Sequence, residues 1–464
     1  MGLITRKKDT WIVAAAVVAF ALWKLLSLHF RFGDENVYFY MSDAILRGAV
    51  PYKDFFLADP PFFVYFLAGF KALIGSHPMF FKVIPVLFDS LSAVLIYLIL
   101  HKRDNAFAAL APVLYLFSFT VLSTSDYVTG AEVMIFLMLL AIYLDQREKH
   151  FLSGVFWALA CLCKLYAGPA LLGFLLYKLI AKEFKPAGKI VLGGLAATAV
   201  VLAPFLTFFP HQTFYDLVIH QFNRPIGIDK WSIWSVFAGF EWLLILSSVV
   251  GMFITKNRRW ALPLIFSAAF FLLYRDLYYL YLHLMLPFMV ILTVEAVAFL
   301  DEKGKGHEVK PAWAFIAIYA VASIYPIYSY LNVYGPQGVF DRPEEIATAL
   351  KSAPGDLPVY GAQEVAPLVA LMSGRKIFDN VIDTNTQNFA AGSQNLGQVS
   401  KKAVGNGVYL VARVADYPSQ NIGGTGFEGY FDAKIWKDSC QLYRSFDRTS
   451  PGDPLNKVVI YRCD

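Results

Sequence analysis

Charge is what this sequence has least of. Only 16% of its 464 residues are Asp, Glu, Lys or Arg, and 57% are hydrophobic. An ordinary soluble domain carries about 25% charged residues. Cysteine is scarce too, with four in all and no CxxC pair at metal-site spacing. That excludes the common zinc-ribbon and finger arrangements. No glycine-rich Walker loop, GxSxG, HExxH or nucleotide-sugar-binding DxD is present, and neither a repeat nor a low-complexity tract appears. The sequence motifs for nucleotide-phosphate, acyl-transfer and zinc-protease chemistry are therefore absent.

What is there is apolar residues, gathered in blocks. A helix crosses a bilayer with about 20 apolar residues. The blocks are 11–30, 79–100, 105–122, 131–146, 151–163, 168–181, 190–209, 235–254, 260–274, 278–299 and 312–331, about eleven spans in all. Those at 151–163 and 168–181 are short, and suit either slight tilt or one broken element. The first block follows Arg6, Lys7 and Lys8, as in a signal peptide. No small-x-small cleavage site succeeds it, so it reads as a span. Alternate joints are basic: 6–8, 101–103, 147–149, 182–189, 256–259 and 303–310. Lys and Arg mark the cytoplasmic side. Counting from a cytoplasmic N-terminus puts every basic joint on one side. The loop 31–78, the joint 123–130, the loop 210–234 and the C-terminal segment then face outward. The excess of five positive charges is absorbed by topology and needs no nucleic acid.

The expected architecture is a mainly α polytopic membrane domain over 1–333 and a soluble α/β domain over 334–464, in a cell membrane. In the first outer loop, DENVYFYMSDAILRG has Val37, Tyr40, Met41, Ala44 and Ile45 at helical spacing, with Gly48 as a stop. Pro60-Pro61 opens a second juxtamembrane helix that ends at Gly75. Past 334, RPEEIATALKSA reads as a helix, and LPVYGA, KIFDNVID, GVYLVARV and KVVIYRC read as strands. Cys161 and Cys163 lie in an apolar span as packing residues. Cys440 and Cys463 lie in the external segment, where an oxidising compartment opens them to a disulfide.

Charged groups at the outer ends of spans are the candidate site. Asp34 and Glu35 follow the first span at once. They are suited to capping a helix and complementing its dipole, or to accepting a proton or holding a cation. Glu132, at the mouth of the fourth span, is a dipole partner or a functional acid, with Asp126 as a weaker rival. Lys164 closes the fifth span on the outer side, against the positive-inside trend. It either snorkels or meets a phosphate. Arg224 and Arg275 are external by the same count and suit a phosphate equally. Tyr278 and Tyr279 fit an interface belt, and His283, a turn deeper, fits an interior histidine or a substrate contact.

Together these features resemble the GT-C superfamily of glycosyltransferases. The nearest branches are the family 39-like protein O-mannosyltransferases and the aminoarabinose transferases of lipid A. The text that carries the resemblance is GDENVYFY, AILRGAVPYKDFFLADPPFFVYFLAG, TGAEVMIFLMLLAIYL, SGVFWALACLCKLYAGP and YLYLHLMLPFM. It implies a polyprenyl-phosphate sugar as donor, a glycan, lipid or protein as acceptor, and transfer on the outer face, usually with inversion. It also implies that Asp34 and Glu35 match the family's acidic pair, Glu132 its second-loop acid and Lys164 its basic residue after the fifth span. Asp34 is then the expected general base, and Glu132 would join it around any divalent ion. Relatives often have His or Lys before the two prolines. Asp59 stands there in this chain and suits an acceptor or a metal instead. A transporter or flippase of lipid-linked glycans would use the same charges, but the paired broken helices of an inverted repeat are not seen.

Overall fold

The structure, a computed structural model, describes residues 2–103, 105–255, 258–304, 311–414, 429–447, 455 and 457–464. Among them, six helices are long and apolar enough to cross a membrane: Lys8–Leu26, Pro78–His101, Phe184–Phe208, Lys230–Ile254, Tyr279–Lys303 and Pro311–Tyr334. The chain is an integral membrane protein. The five other expected spans are shorter or broken. The block 105–122 folds as two helices, Leu110–Leu116 and Phe119–Thr124. They part at Ser118, whose hydroxyl accepts from the Val121 N–H at 3.2 Å and so caps the second. Ala131–Gln146, His150–Cys163, Gly168–Ile180 and Ala261–Leu273 follow. The last two have 13 residues each, which reach about 20 Å against a hydrocarbon core of about 30 Å. Of the basic joints, Lys256 and 305–310 lie outside the described residues, as do the side chains of Arg6, Lys7 and Arg258.

The chain forms two compact units that do not follow its order. One comprises Met1–Ser27, Val83–Val201 and Ile226–Val333; the other comprises Leu28–Lys82, Leu202–Pro225 and Tyr334–Asp464. The loop 28–82 thus belongs with the C-terminal segment. The first unit is a helix bundle in which small residues let backbones meet. A Cβ on Gly154 would lie 1.9 Å from the Ile190 carbonyl oxygen. Buried polar bridges tie the bundle internally. Lys24 Nζ reaches Asp126 at 2.5 Å and the Tyr330 hydroxyl at 2.6 Å. Asp126 is therefore an interior ion-pair partner.

In the second unit, helix α1, Glu35–Leu46, is followed by Gly48 at φ +95°, as the glycine stop requires. Helix α2, Phe62–Ile74, starts after Pro61 and stops at Gly75. A four-stranded sheet has the order β1-β2-β4-β3 for β1 (Val359–Gly361), β2 (Val408–Val414), β3 (Cys440–Asp447) and β4 (Lys457–Cys463). β1 and β2 are parallel and the other pairs antiparallel. Six of the seven residues of β2 are buried, which is why VYLVARV runs apolar without alternation. Tyr360, Leu410, Val459 and Phe431 form its core.

KIFDNVID is not a strand. Ile377 makes a single bridge to Val359. Asp379 and Asn380 then turn the chain at φ +50° and +54°, a conformation that Asp and Asn tolerate and that ends a pleat. β3 is the strand that the sequence conceals. Only three of its eight residues are even partly buried, so CQLYRSFD has no apolar run. Cys440 and Cys463 stand opposite each other in the β3–β4 register and are joined by a disulfide.

Candidate functional site

The acidic pair opens α1, and its two members are treated differently. Asp34 occupies the cap position, but its backbone is already helical (φ −61°, ψ −19°) and its side chain makes no capping bond. A capping residue sits in extended geometry. The Asp34 carboxylate is exposed, and its Oδ1 accepts from Gln363 Nε2 at 3.2 Å. Glu35 is fully buried. Lys82 Nζ donates to both its oxygens at 2.9 and 2.8 Å, and the Arg31 N–H adds a third bond at 3.2 Å. Glu35 thus anchors the start of α1, while its neighbour faces water.

One turn on, Tyr38 donates its hydroxyl to Asp59 Oδ2 at 2.8 Å, and Tyr52 donates to the Asp59 carbonyl at 2.8 Å. Residues four apart share a helix face, so Asp34 and the Tyr38–Asp59 pair lie along one side of α1. The segment 202–225 closes on the same loop. Asp216 Oδ2 accepts from the Leu57 N–H at 3.2 Å, and burial pushes its carboxyl up to about 7. Gln221 donates to the Ala58 carbonyl at 2.7 Å. His220 Nδ1 meets Ser393 Oγ at 2.7 Å, its ring lies edge-on to Phe56, and burial pushes it down to about 4. Arg224 Nε donates to Gln387 Oε1 at 3.2 Å. Burial pushes the Asp383 carboxyl upward, and the field of Arg224 opposes that shift. Two sequence candidates, Asp59 and Arg224, therefore stand in one polar cluster. Tyr38, His220 and Asp383 complete it, while Gln363 meets Asp34. No sequence signal marked these four, because their partners are 21 to 329 residues away in the chain.

The bundle unit holds the other candidates. Glu132 is buried behind Gly130, whose N–H donates to its Oε1 at 3.3 Å. Gly130 takes φ +86°, and Cys163 packs against its carbonyl with Sγ at 3.3 Å. That brings the end of helix His150–Cys163 to Glu132, so Lys164 and Asp89 are its charged neighbours. His283 is interior, with Nδ1 3.0 Å from the Thr124 hydroxyl and Nε2 2.9 Å from that of Tyr115. Tyr115 and Ser125 both donate to Asp89, at 3.1 and 2.6 Å. An acid inside an apolar span was the signal that would have found Asp89. Arg275 is exposed, and Tyr278 stacks edge-on with Tyr281.

Residues 58–208 match the family described as dolichyl-phosphate-mannose-protein mannosyltransferase. Over the whole chain the fold matches ArnT from Cupriavidus metallidurans. For that protein bound to undecaprenyl phosphate the TM-score is 0.66 at 14% identity, covering 97% of both chains. For its apo state the TM-score is 0.59 at 16% identity, covering 98% of both. The likeness is one of fold, held over nearly the full length of both chains. No curated protein matches. No three His, Cys, Asp or Glu side chains group as ion ligands among the described residues. Asp34 and Glu132, the two acids named for a divalent ion, belong to different units, and neither is part of such a set.

Proposed function

We propose that this chain moves a sugar from a polyprenyl-phosphate donor to an acceptor hydroxyl at the extracytoplasmic membrane face, with inversion at the anomeric carbon. The observation that carries this reading is the Asp34 carboxylate. It is exposed at the head of α1, does not cap its own helix, and shares a helix face with the Tyr38–Asp59 pair. The GT-C fold, the mannosyltransferase match over 58–208 and the undecaprenyl phosphate bound by ArnT support it.

Asp34 takes the proton of the acceptor hydroxyl as that oxygen bonds to the anomeric carbon. The bond from that carbon to the phosphate oxygen breaks, and the polyprenyl phosphate leaves with the electron pair. One displacement inverts the centre. Asp59, oriented by Tyr38, holds an acceptor hydroxyl. Arg224 offsets the negative charge on the departing phosphate through charge-assisted hydrogen bonds. Within the bundle, taken by itself, Lys164 and Arg275 are cations suited to a phosphate. Glu132 orients Lys164, while Tyr278 and His283 shape the outer end of the bundle.

Asp34→Asn keeps the shape and removes the proton acceptor. Purified variant should melt as wild type yet release sugar from undecaprenyl-phosphate donors about 10²–10⁴-fold more slowly, the usual worth of a general base. Wild-type turnover in this variant would sink the assignment and send it to Asp59 or Glu132.

A further inference from the structure

Gln363 lies 329 residues from Asp34 and donates to its carboxylate. We propose that Gln363 is a positioning residue for that carboxylate, which makes the C-terminal segment part of the catalytic apparatus. This inference rests on Asp34 as the proton acceptor.

Gln363 sits in the turn that leaves the carboxyl end of β1, beside the carboxyl end of parallel β2. Such ends are where open α/β sheets present ligand-facing groups. The turn is fixed on every side. Gly361, at φ +149°, lies so close to β2 that a Cβ there would fall 1.8 Å from the Val411 carbonyl oxygen. The Ala362 N–H donates to that same oxygen at 2.8 Å. Thr384 Oγ1 donates to the Gly361 carbonyl at 2.6 Å. The Val365 N–H closes the turn on the Ala362 carbonyl at 2.9 Å. Arg413, at the end of β2, donates to Glu364 Oε1 at 2.9 Å.

The turn is also bonded to α1 itself. Asn36 Nδ2 donates to the Glu364 carbonyl at 2.6 Å, two residues beyond Asp34. The Gln363–Asp34 bond is therefore bracketed by a second bond between the same two segments. A donor on Oδ1 restricts rotation of the carboxylate. Catalytic groups need support of this kind from rigid neighbours.

The test uses the full chain in detergent, with an undecaprenyl-phosphate sugar that wild type turns over. Gln363→Met keeps length without the donor; Gln363→Glu keeps shape and replaces the donor with an acceptor. Both should lower kcat about tenfold or more, as expected for losing a hydrogen bond to a charged group. Donor KM should stay within about twofold and melting should be unchanged, since the residue acts on Asp34 and not on the lipid. Added to Asp34→Asn, neither substitution should lower the residual rate further, because each acts through the carboxylate already removed. Wild-type kcat in Gln363→Met, or loss that multiplies with that of Asp34→Asn, overturns the positioning role while leaving the base assignment intact. Full activity in Asp34→Asn overturns the base assignment, and the positioning role with it.

Discussion

Asp34 and Glu35 are adjacent in the chain and opposite in surroundings. Glu35 and Lys82 are both almost wholly buried, so each neutralises a charge that the interior would otherwise strand. Breaking a buried pair by removing one partner costs about 3–5 kcal/mol. Glu35→Gln should therefore lower the melting temperature sharply, and Lys82→Met added to it should recover much of the loss. Activity of the recovered double variant is the decisive measurement, because a catalytic role for Glu35 would leave it stable but inactive. Asp216 gives a pH dependence. Its folded carboxyl titrates at about 7, above the unfolded value of about 4. The folded chain therefore keeps a proton that the unfolded chain releases, and this contribution to stability is lost as pH rises from about 4 to about 7. Asp216→Asn still accepts from Leu57 but does not titrate. Melting at pH 5 and pH 7.5 should differ less in the variant than in wild type.

At the scale of elements, the short 3-10 turn Pro78–Lys82 and helix α1 exist in their present relation because Lys82 reaches Glu35. In the bundle, helix Phe119–Thr124 acts as a polar hub. Thr120 donates both its N–H and its hydroxyl to Glu241 at 2.8 Å. Glu241 lies where helix Lys230–Ile254 departs from helical geometry (φ −107°, ψ 16°), so the bend and the carboxylate's bonds occur at one residue. The edge strand β3 depends on a covalent tie instead of burial. The Cys440–Cys463 disulfide spans 23 residues, and closing a loop of that size is worth about 3 kcal/mol in the chain-entropy model. Replacing both cysteines by Ser should leave β4 paired to β2 and expose β3. Limited proteolysis should then cut within 429–447 in the variant, or in reduced wild type, well before it cuts native protein.

For the whole molecule, the expectation concerns sidedness. Six described helices satisfy the length and apolarity of a span, and the basic joints alternate along the sequence. We expect Asp464 to lie outside the cytoplasm. A reporter that works only in the cytoplasm, fused after Asp464, should be silent, and one that works only outside should be active. The opposite pattern would mean a span count wrong by an odd number. The compact units also show that chain order is a poor guide to assembly. A boundary at 333 separates membrane from soluble composition, yet the loop 28–82 belongs with residues 334–464. Phe32 N–H bonds to the Gly338 carbonyl, Phe340 N–H to that of Phe30, and Arg31 to the carbonyls of Gly335 and Gln337.

The sequence by itself determined what depends on local composition and period. Apolar blocks became helices, Gly48 and Gly75 ended the loop helices, and the runs in β2 and β4 became strands, because burial and backbone preference act over a few residues. It also named Asp34, Asp59 and Arg224, since ionisable groups at span ends are conspicuous in an apolar chain. Tertiary structure alone decided what each charge meets. Which acid of the pair is buried depends on Lys82, 47 residues on. Which side chain bonds to Asp34 depends on a turn 329 residues on. KIFDNVID had the composition of a strand, but only the fold revealed that Asp379 and Asn380 turn the chain after one bridge. Hydrogen bonds and ion pairs act over a few ångströms of space and are indifferent to distance along the chain. No local pattern records them.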